Sequence, residues 1–148
     1  MKAVKVLVVD DEKIAARNLQ YILSKEGYTV EVALSGPEAV KMLEAEAENG
    51  YDLVLTDLRM PEVDGMQILA TARALHPDVE VIMVTGFATV SSALEAVKAG
   101  AYHYLAKPYN ISEVRLVVRD ALEKRALKRE NRQLKEQLAQ AQGGVPLP

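Results

Sequence analysis

Five times along the chain a short run rich in Val, Ile and Leu gives way to a longer segment of helical period. The runs are residues 4–9, 29–33, 52–56, 80–84 and 102–105; the helical segments span 13–26, 37–48, 66–75 and 90–99, with a last one from Ile111 onward. Runs this short and this aliphatic suit strands buried on both sides, so the repeat predicts an α/β fold, a parallel sheet with helices on both faces. Right-handed crossovers then leave few windings. The boundaries carry matching chemistry. Ser35 with Glu38, Asp64 with Gln67, and Asn110 with Glu113 have the spacing of reciprocal helix caps, and Gly27 and Gly100 follow the last turns of their helices.

Composition narrows the classes further. With 148 residues, 49% hydrophobic and 26% charged, the chain can build one ordinary domain with an appendage. It has no cysteine, which excludes disulfide, zinc–thiolate and iron–sulfur chemistry. The longest purely aliphatic stretches, residues 6–9 and 81–84, fall far short of the roughly twenty residues of a membrane span. A lysine inside the first apolar run and acids at its end are wrong for a signal peptide, so the expected location is cytoplasmic, with no membrane partner. The net charge of −3 exerts no general pull on nucleic acid. There is no P-loop signature, and the turn Val9-Asp10-Asp11-Glu12 has no glycine. A turn that displays carboxylates repels phosphate unless a cation intervenes, so this one reads as a metal-site turn.

Five polar residues sit at the C-terminal ends of expected strands: Asp10 and Asp11 after the first, Asp57 after the third, Thr85 after the fourth and Lys107 after the fifth. Ligands of open α/β sheets bind at those ends, where strand order reverses. For the order 2-1-3-4-5 the reversal falls between strands one and three, which would bring Asp10, Asp11 and Asp57 together. Three carboxylates in one pocket repel one another unless neutralised. A hard divalent cation such as Mg²⁺ accomplishes this through oxygen ligands, and Lys107 adds a point charge. The pocket therefore suits a phosphoryl group bridged by a cation, with Asp57 as the candidate nucleophile and Thr85 and Lys107 as donors to phosphoryl oxygens.

The segments VLVVDDE, DLVLTDLRMPEVDGMQIL, VIMVTGFA and GAYHYLAKP resemble, in order and spacing, the signature blocks of the receiver domain of two-component response regulators. The resemblance covers residues 4 to about 122. It implies a flavodoxin-like doubly wound sheet of five parallel strands, order 2-1-3-4-5, with five helices. It further implies that Asp57 accepts a phosphoryl group from a sensor histidine kinase, and that Asp10, Asp11, Asp57 and the backbone carbonyl of Arg59 hold Mg²⁺ or Mn²⁺. Thr85 and Lys107 then contact the phosphoryl group, Tyr104 takes the aromatic switch position, and the Lys107–Pro108 bond is cis. Catalysis would be limited to the chain's own phosphorylation and dephosphorylation. Arg59 and Phe87 occupy the positions that set how fast the aspartyl phosphate hydrolyses. Neither is a carboxamide or an acid, so a long-lived phosphorylated state is expected. Neither His76 nor His103 needs a role. A haloacid-dehalogenase-type phosphatase or phosphotransferase is the alternative; that class wants Asp-x-Asp-x-Thr/Val after the first strand, where this chain has Asp10-Asp11-Glu12-Lys13.

The last helix shows no breaker before Gly143, yet its composition changes past Leu122. Residues 123–142 hold six Lys or Arg against three Glu. Leu127, Asn131, Leu134, Leu138 and Ala141 fall at alternating steps of four and three, the seam of a coiled coil, with Lys124 an interruption at its start. A buried Asn131 favours a parallel two-stranded register, in which Glu123 and Glu130 would face Lys128 and Lys135 of a second copy. A solvated single helix is the competing reading. The expected organisation is a receiver over 1–122, a coiled-coil linker over 123–142 forming a parallel homodimer, and a flexible tail over 143–148. The resemblance is greatest to the front end of NtrC-type transcription activators, with the output domain outside this chain and no direct nucleic-acid binding by it.

Overall fold

The computed structural model describes residues 3–46 and 50–141. Five strands, β1 (Lys5–Val9), β2 (Thr29–Ala33), β3 (Leu53–Thr56), β4 (Glu80–Thr85) and β5 (His103–Ala106), alternate with α1 (Lys13–Ser24), α2 (Gly36–Ala45), α3 (Gly65–Leu75), α4 (Val90–Lys98) and α5 (Ile111–Ala141). All strand pairs are parallel, and the order is β2-β1-β3-β4-β5. The expected doubly wound sheet is therefore present. The expected second helix reached Glu48; α2 ends at Ala45, and residues 47–49 lie outside those described, as does the tail 143–148.

Strand alternation divides the core in two. Leu7, Val9, Val54, Val81 and Met83 point to the face covered by α2, α3 and α4, where they meet Leu43, Ile68, Leu69 and Ala96. Val6, Val8, Leu53, Leu55, Ile82 and Val84 point to the other, against Ala16, Leu19 and Leu23 of α1 and Val114, Val117 and Val118 of α5. Because β1, β3 and β4 are buried on both faces, their sequence reads as unbroken aliphatic runs. Helix α4 is the loosest element: it buries only Ala96 and exposes Val90, Leu94 and Val97.

The caps are partly as expected. Asp64 and Gln67 form the full reciprocal pair at α3. At α2 the Ser35 hydroxyl accepts from the Glu38 amide, but Glu38 returns its bond to the Leu34 amide rather than to Ser35. At α5 the Asn110 side chain accepts from the Ser112 amide, one position earlier than its spacing to Glu113 implied. A further capping box at α4, Thr89 with Ser92, was not anticipated, because serine is not the usual third residue.

Past residue 122, α5 remains against its own domain. Val114, Val118 and Ala121 continue as Arg125, Lys128 and Arg132 along one stripe, and the three basic residues pair with Asp52, Glu80 and Asp78. Lys124 also reaches Glu80, at 3.8 Å. This corrects the expectation for Lys128, which is tied within its own chain instead of pointing to a second copy. Leu127 and Leu134 stand two residues beyond Arg125 and Arg132, roughly 200° round the helix, and they and Leu138 are exposed.

Gly65 joins the fold to the sheet edge described next. A Cβ there would fall onto the carbonyl of Asp57 and within 2.8 Å of Leu58 Cα, both backbone atoms that cannot yield locally. Gly65→Ala is expected to destabilise the protein by about 1–3 kcal/mol in urea titration, through overpacking. Gly86→Ala, where a Cβ would meet nothing within 4 Å, should stay within about 0.5 kcal/mol.

Candidate active site

Register and order bring the ends of β1 and β3 side by side, since Val9 pairs with Thr56 and the Asp57 amide donates to the Val9 carbonyl at 2.9 Å. Carboxylate oxygens of Asp10, Asp11 and Asp57 consequently lie within 4.8 Å of one another. Asp10 and Asp57 are buried and Asp11 is exposed. Asp11 does not cap α1, whose N-cap is Glu12 with no side-chain bond. It is Asp10 that turns the corner, its Oδ1 accepting from the Glu12 amide at 2.9 Å.

Lys107 reaches the cluster from the end of β5. Its Nζ donates to Asp10 Oδ2 at 2.7 Å and to Asp57 Oδ2 at 3.5 Å. Burial pulls the lysine pKa down, but the hydrogen bond and charge of Asp10, with help from Asp57, outweigh it and leave the ammonium more firmly protonated than an ordinary lysine. The Lys107–Pro108 peptide is cis, as expected, and the Lys107 amide donates to the Thr85 carbonyl at 2.8 Å. One lysine against three carboxylates leaves the pocket short of positive charge. Among the described residues, the buried Asp57 Oδ1 has no hydrogen-bond partner. An unpartnered carboxylate oxygen beside two other carboxylates fits a divalent cation with oxygen ligands.

The remaining expected residues lie on the neighbouring strands and loops. Thr85 is fully buried at the end of β4, and its hydroxyl accepts from the Phe87 amide at 3.1 Å. Arg59 lies in the loop after β3. With Asp11, Asp57 and Phe87 it lines a shallow cavity of about 440 Å³ over the acids. Its guanidinium stacks on the Phe87 ring at 5.3 Å, a contact that nothing in the sequence indicated. Tyr104 on β5 is half-buried, and its hydroxyl meets the Ser92 hydroxyl at 2.7 Å, tying β5 to the capping box of α4. Ser92 is thus a further residue of this region that sequence reasoning missed, although the Thr89-x-x-Ser92 spacing was visible. His76 is buried as the C-cap of α3, with its Nε2 2.9 Å from the Leu43 carbonyl, and His103 is exposed. Neither approaches the acids.

The Response regulator receiver domain family matches residues 6–119. The regulatory protein AtoC of Escherichia coli is 35% identical over 135 residues, covering 91% of this chain and 29% of AtoC. The C4-dicarboxylate transport transcriptional regulatory protein DctD of Rhizobium meliloti is 35% identical over 145 residues, 98% of this chain and 31% of DctD. The chain thus spans less than a third of the length of these curated relatives. The solution structure of the beryllofluoride-activated NtrC4 receiver domain dimer superposes with a TM-score of 0.75 at 35% identity, covering 82% of this chain and 98% of that one. None of these matches favours the haloacid-dehalogenase alternative, and the family is one of signalling domains rather than enzymes in the ordinary sense. Among the described residues no helix is long and apolar enough to cross a membrane. With the five-residue cluster at the sheet edge and the family match over most of its length, the chain belongs to the response regulator receiver domain family, alongside the receivers of NtrC-type regulators.

Proposed function

We propose that the chain is a phosphorylation-activated switch in which Asp57 takes a phosphoryl group from the phosphohistidine of a sensor kinase. The supporting observation is the Asp57 carboxylate itself: Lys107 reaches its Oδ2, while its Oδ1 has no hydrogen-bond partner among the described residues and lies beside two more acids. A carboxylate oxygen of Asp57 attacks phosphorus, the P–O bond forms as the P–N bond breaks, and the imidazole leaves with the electron pair and takes up a proton. Asp10, Asp11, Asp57 and the Arg59 carbonyl would hold Mg²⁺ or Mn²⁺, which when bound offsets the negative charge of the carboxylates and the phosphoryl oxygens. Lys107, kept protonated, pairs with a phosphoryl oxygen.

The dianion then acts on the neighbouring strand. Thr85 accepts from Phe87 and keeps its own O–H free to donate, so it turns toward the phosphoryl oxygens and draws the loop after β4 with it. The Tyr104–Ser92 hydroxyl pair holds the resting arrangement. When it breaks, Tyr104 moves inward and α4, held by little burial, shifts. The proposed output is a parallel homodimer through the exposed seam of Leu127, Asn131, Leu134 and Leu138, leading to transcription regulation by an output domain like those of the NtrC-type relatives. Continuity of the DctD match through the last helix supports this. With Lys128 engaged by Glu80, the charge pair left for the seam is Glu130 with Lys135 of the second copy.

Acetyl phosphate with Mg²⁺ should add one phosphoryl mass, abolished by Asp57→Asn or by chelation. Since Arg59 and Phe87 are stacked on each other and neither is a carboxamide or an acid that could orient a water, the adduct should outlast a chase of minutes; decay within seconds would contradict this assignment. Turnover of phosphate esters would instead indicate an enzyme. For the switch, Tyr104→Phe and Ser92→Ala should each tighten beryllofluoride binding about fivefold, the worth of one hydrogen bond near 1 kcal/mol. The double variant should gain no more than either single change, and additive gains would remove the pair from the switch. For the dimer, Leu134→Glu should convert it to monomer by light scattering.

A further inference from the structure

We propose that the N-terminal edge of the sheet is a docking seat for the C-terminal helix, with Glu80 as its positioning residue. The seat fixes the rotation of the helix beyond residue 122 and hence the direction in which the Leu127–Leu138 seam points.

Glu80 opens β4 and has no exposed surface. A carboxylate taken out of water must have countercharges close by. Among the described residues, the side chains that answer it are Lys128, which donates to Oε1, and Lys124, 3.8 Å from Oε2. Lys124 also lies over the Tyr102 ring at 5.3 Å. The lysine that reads as a defect in the coiled-coil pattern therefore has a place against the domain. Two neighbouring acids extend the match: Arg125 Nε is 3.0 Å from Asp52 Oδ1, and Arg132 Nη2 is 2.7 Å from Asp78 Oδ2. Asp52 is itself fixed by accepting from the Lys5 amide at 2.8 Å. Two loop acids and the first residue of β4 thus meet basic residues at steps of three and four on one helix face, which a solvated charge run would not produce.

Apolar packing does not hold this stretch. Between helix and sheet edge lies a cavity of about 430 Å³, with Arg125, Arg129 and Arg132 on one side and Tyr51, His76 and Asp78 on the other. Ion pairs bridge it, and the buried acid makes them more than exposed pairs, which contribute little singly. The folded unit therefore runs to Arg132 instead of closing at residue 122. This rests on the proposed dimer only for the use made of the seam.

Hydrogen exchange read by mass spectrometry on the full chain tests the seat. Glu80→Met keeps the volume and removes the buried charge, so the sheet should keep its protection and its melting temperature while residues 124–132 exchange about tenfold faster. Lys124→Ala with Lys128→Ala approaches the same contact from the exposed side and should give the same local release. Unchanged protection of 124–132 in both, or a loss spread evenly over the sheet, would overturn the proposal. In Leu134→Glu, residues 124–132 should stay protected although the seam is broken; release there would assign their order to pairing and overturn the seat. If Leu134→Glu leaves the size unchanged, the pairing reading fails by itself, and exchange in the Glu80 and lysine variants still decides the seat.

Discussion

The mutual repulsion of Asp10, Asp11 and Asp57 is the constraint around which the sheet is arranged. Two unit charges about 4 Å apart repel by about 4 kcal/mol at a near-surface dielectric, and here three are held within 4.8 Å. Two come from a single turn after β1 and the third from β3, so the reversal of strand order is what forces them together. Among the described residues, the one ammonium that reaches them arrives from the end of β5, two strands away from β3, and Gly65 lets α3 begin tight against the Asp57 backbone. A pocket balanced this incompletely has a standing demand for more positive charge. The proposed phosphoryl chemistry exploits that demand, because a cation that satisfies the acids is also one that can offset an incoming anion.

Most of this was readable from residue types because it rests on local rules. Aliphatic runs buried on both faces identify central strands, and the acids, Thr85 and Lys107 stand directly after those runs, where any open α/β sheet places its ligand. What was missed depends on contacts between segments far apart in sequence. Nothing local says that Arg59 will lie on Phe87, or that the Tyr104 hydroxyl will find Ser92. The caps went astray for a related reason: Glu38 and Asn110 had more than one free amide in reach, and spacing alone does not choose between them. Lys128 is the instructive error. The heptad pattern assigned it to a second copy because the pattern has no information about Glu80, a single acid at the head of an apolar strand whose burial makes it the stronger claimant.

The two edges of the sheet are thereby treated alike in composition and differently in chemistry. At the C-terminal edge, acids are left with too few partners and open to a cavity; at the N-terminal edge, Asp52, Asp78 and Glu80 are each met by a basic side chain of α5. The first arrangement is short of positive charge, whereas the second has its countercharges supplied by the chain's own helix. The mild net charge of the chain is an average over these opposed designs and the basic helix that answers one of them.

Helix α5 begins just past Lys107 and Pro108 and passes the N-terminal edge on its way out, so it touches both. Its first turns are anchored by Val114, Val117 and Val118 in the core, and its middle by the three ion pairs. A helix held at two such points cannot bend freely between them; a displacement beginning near β5 must move it as a rod or not at all. Since rise is about 1.5 Å per residue, a small tilt near Asn110 becomes a larger sideways displacement at Leu138. In the proposed switch, the Glu80 seat passes a small shift at the phosphorylation edge on as a change in how two seams meet, which a freely hinged linker would absorb.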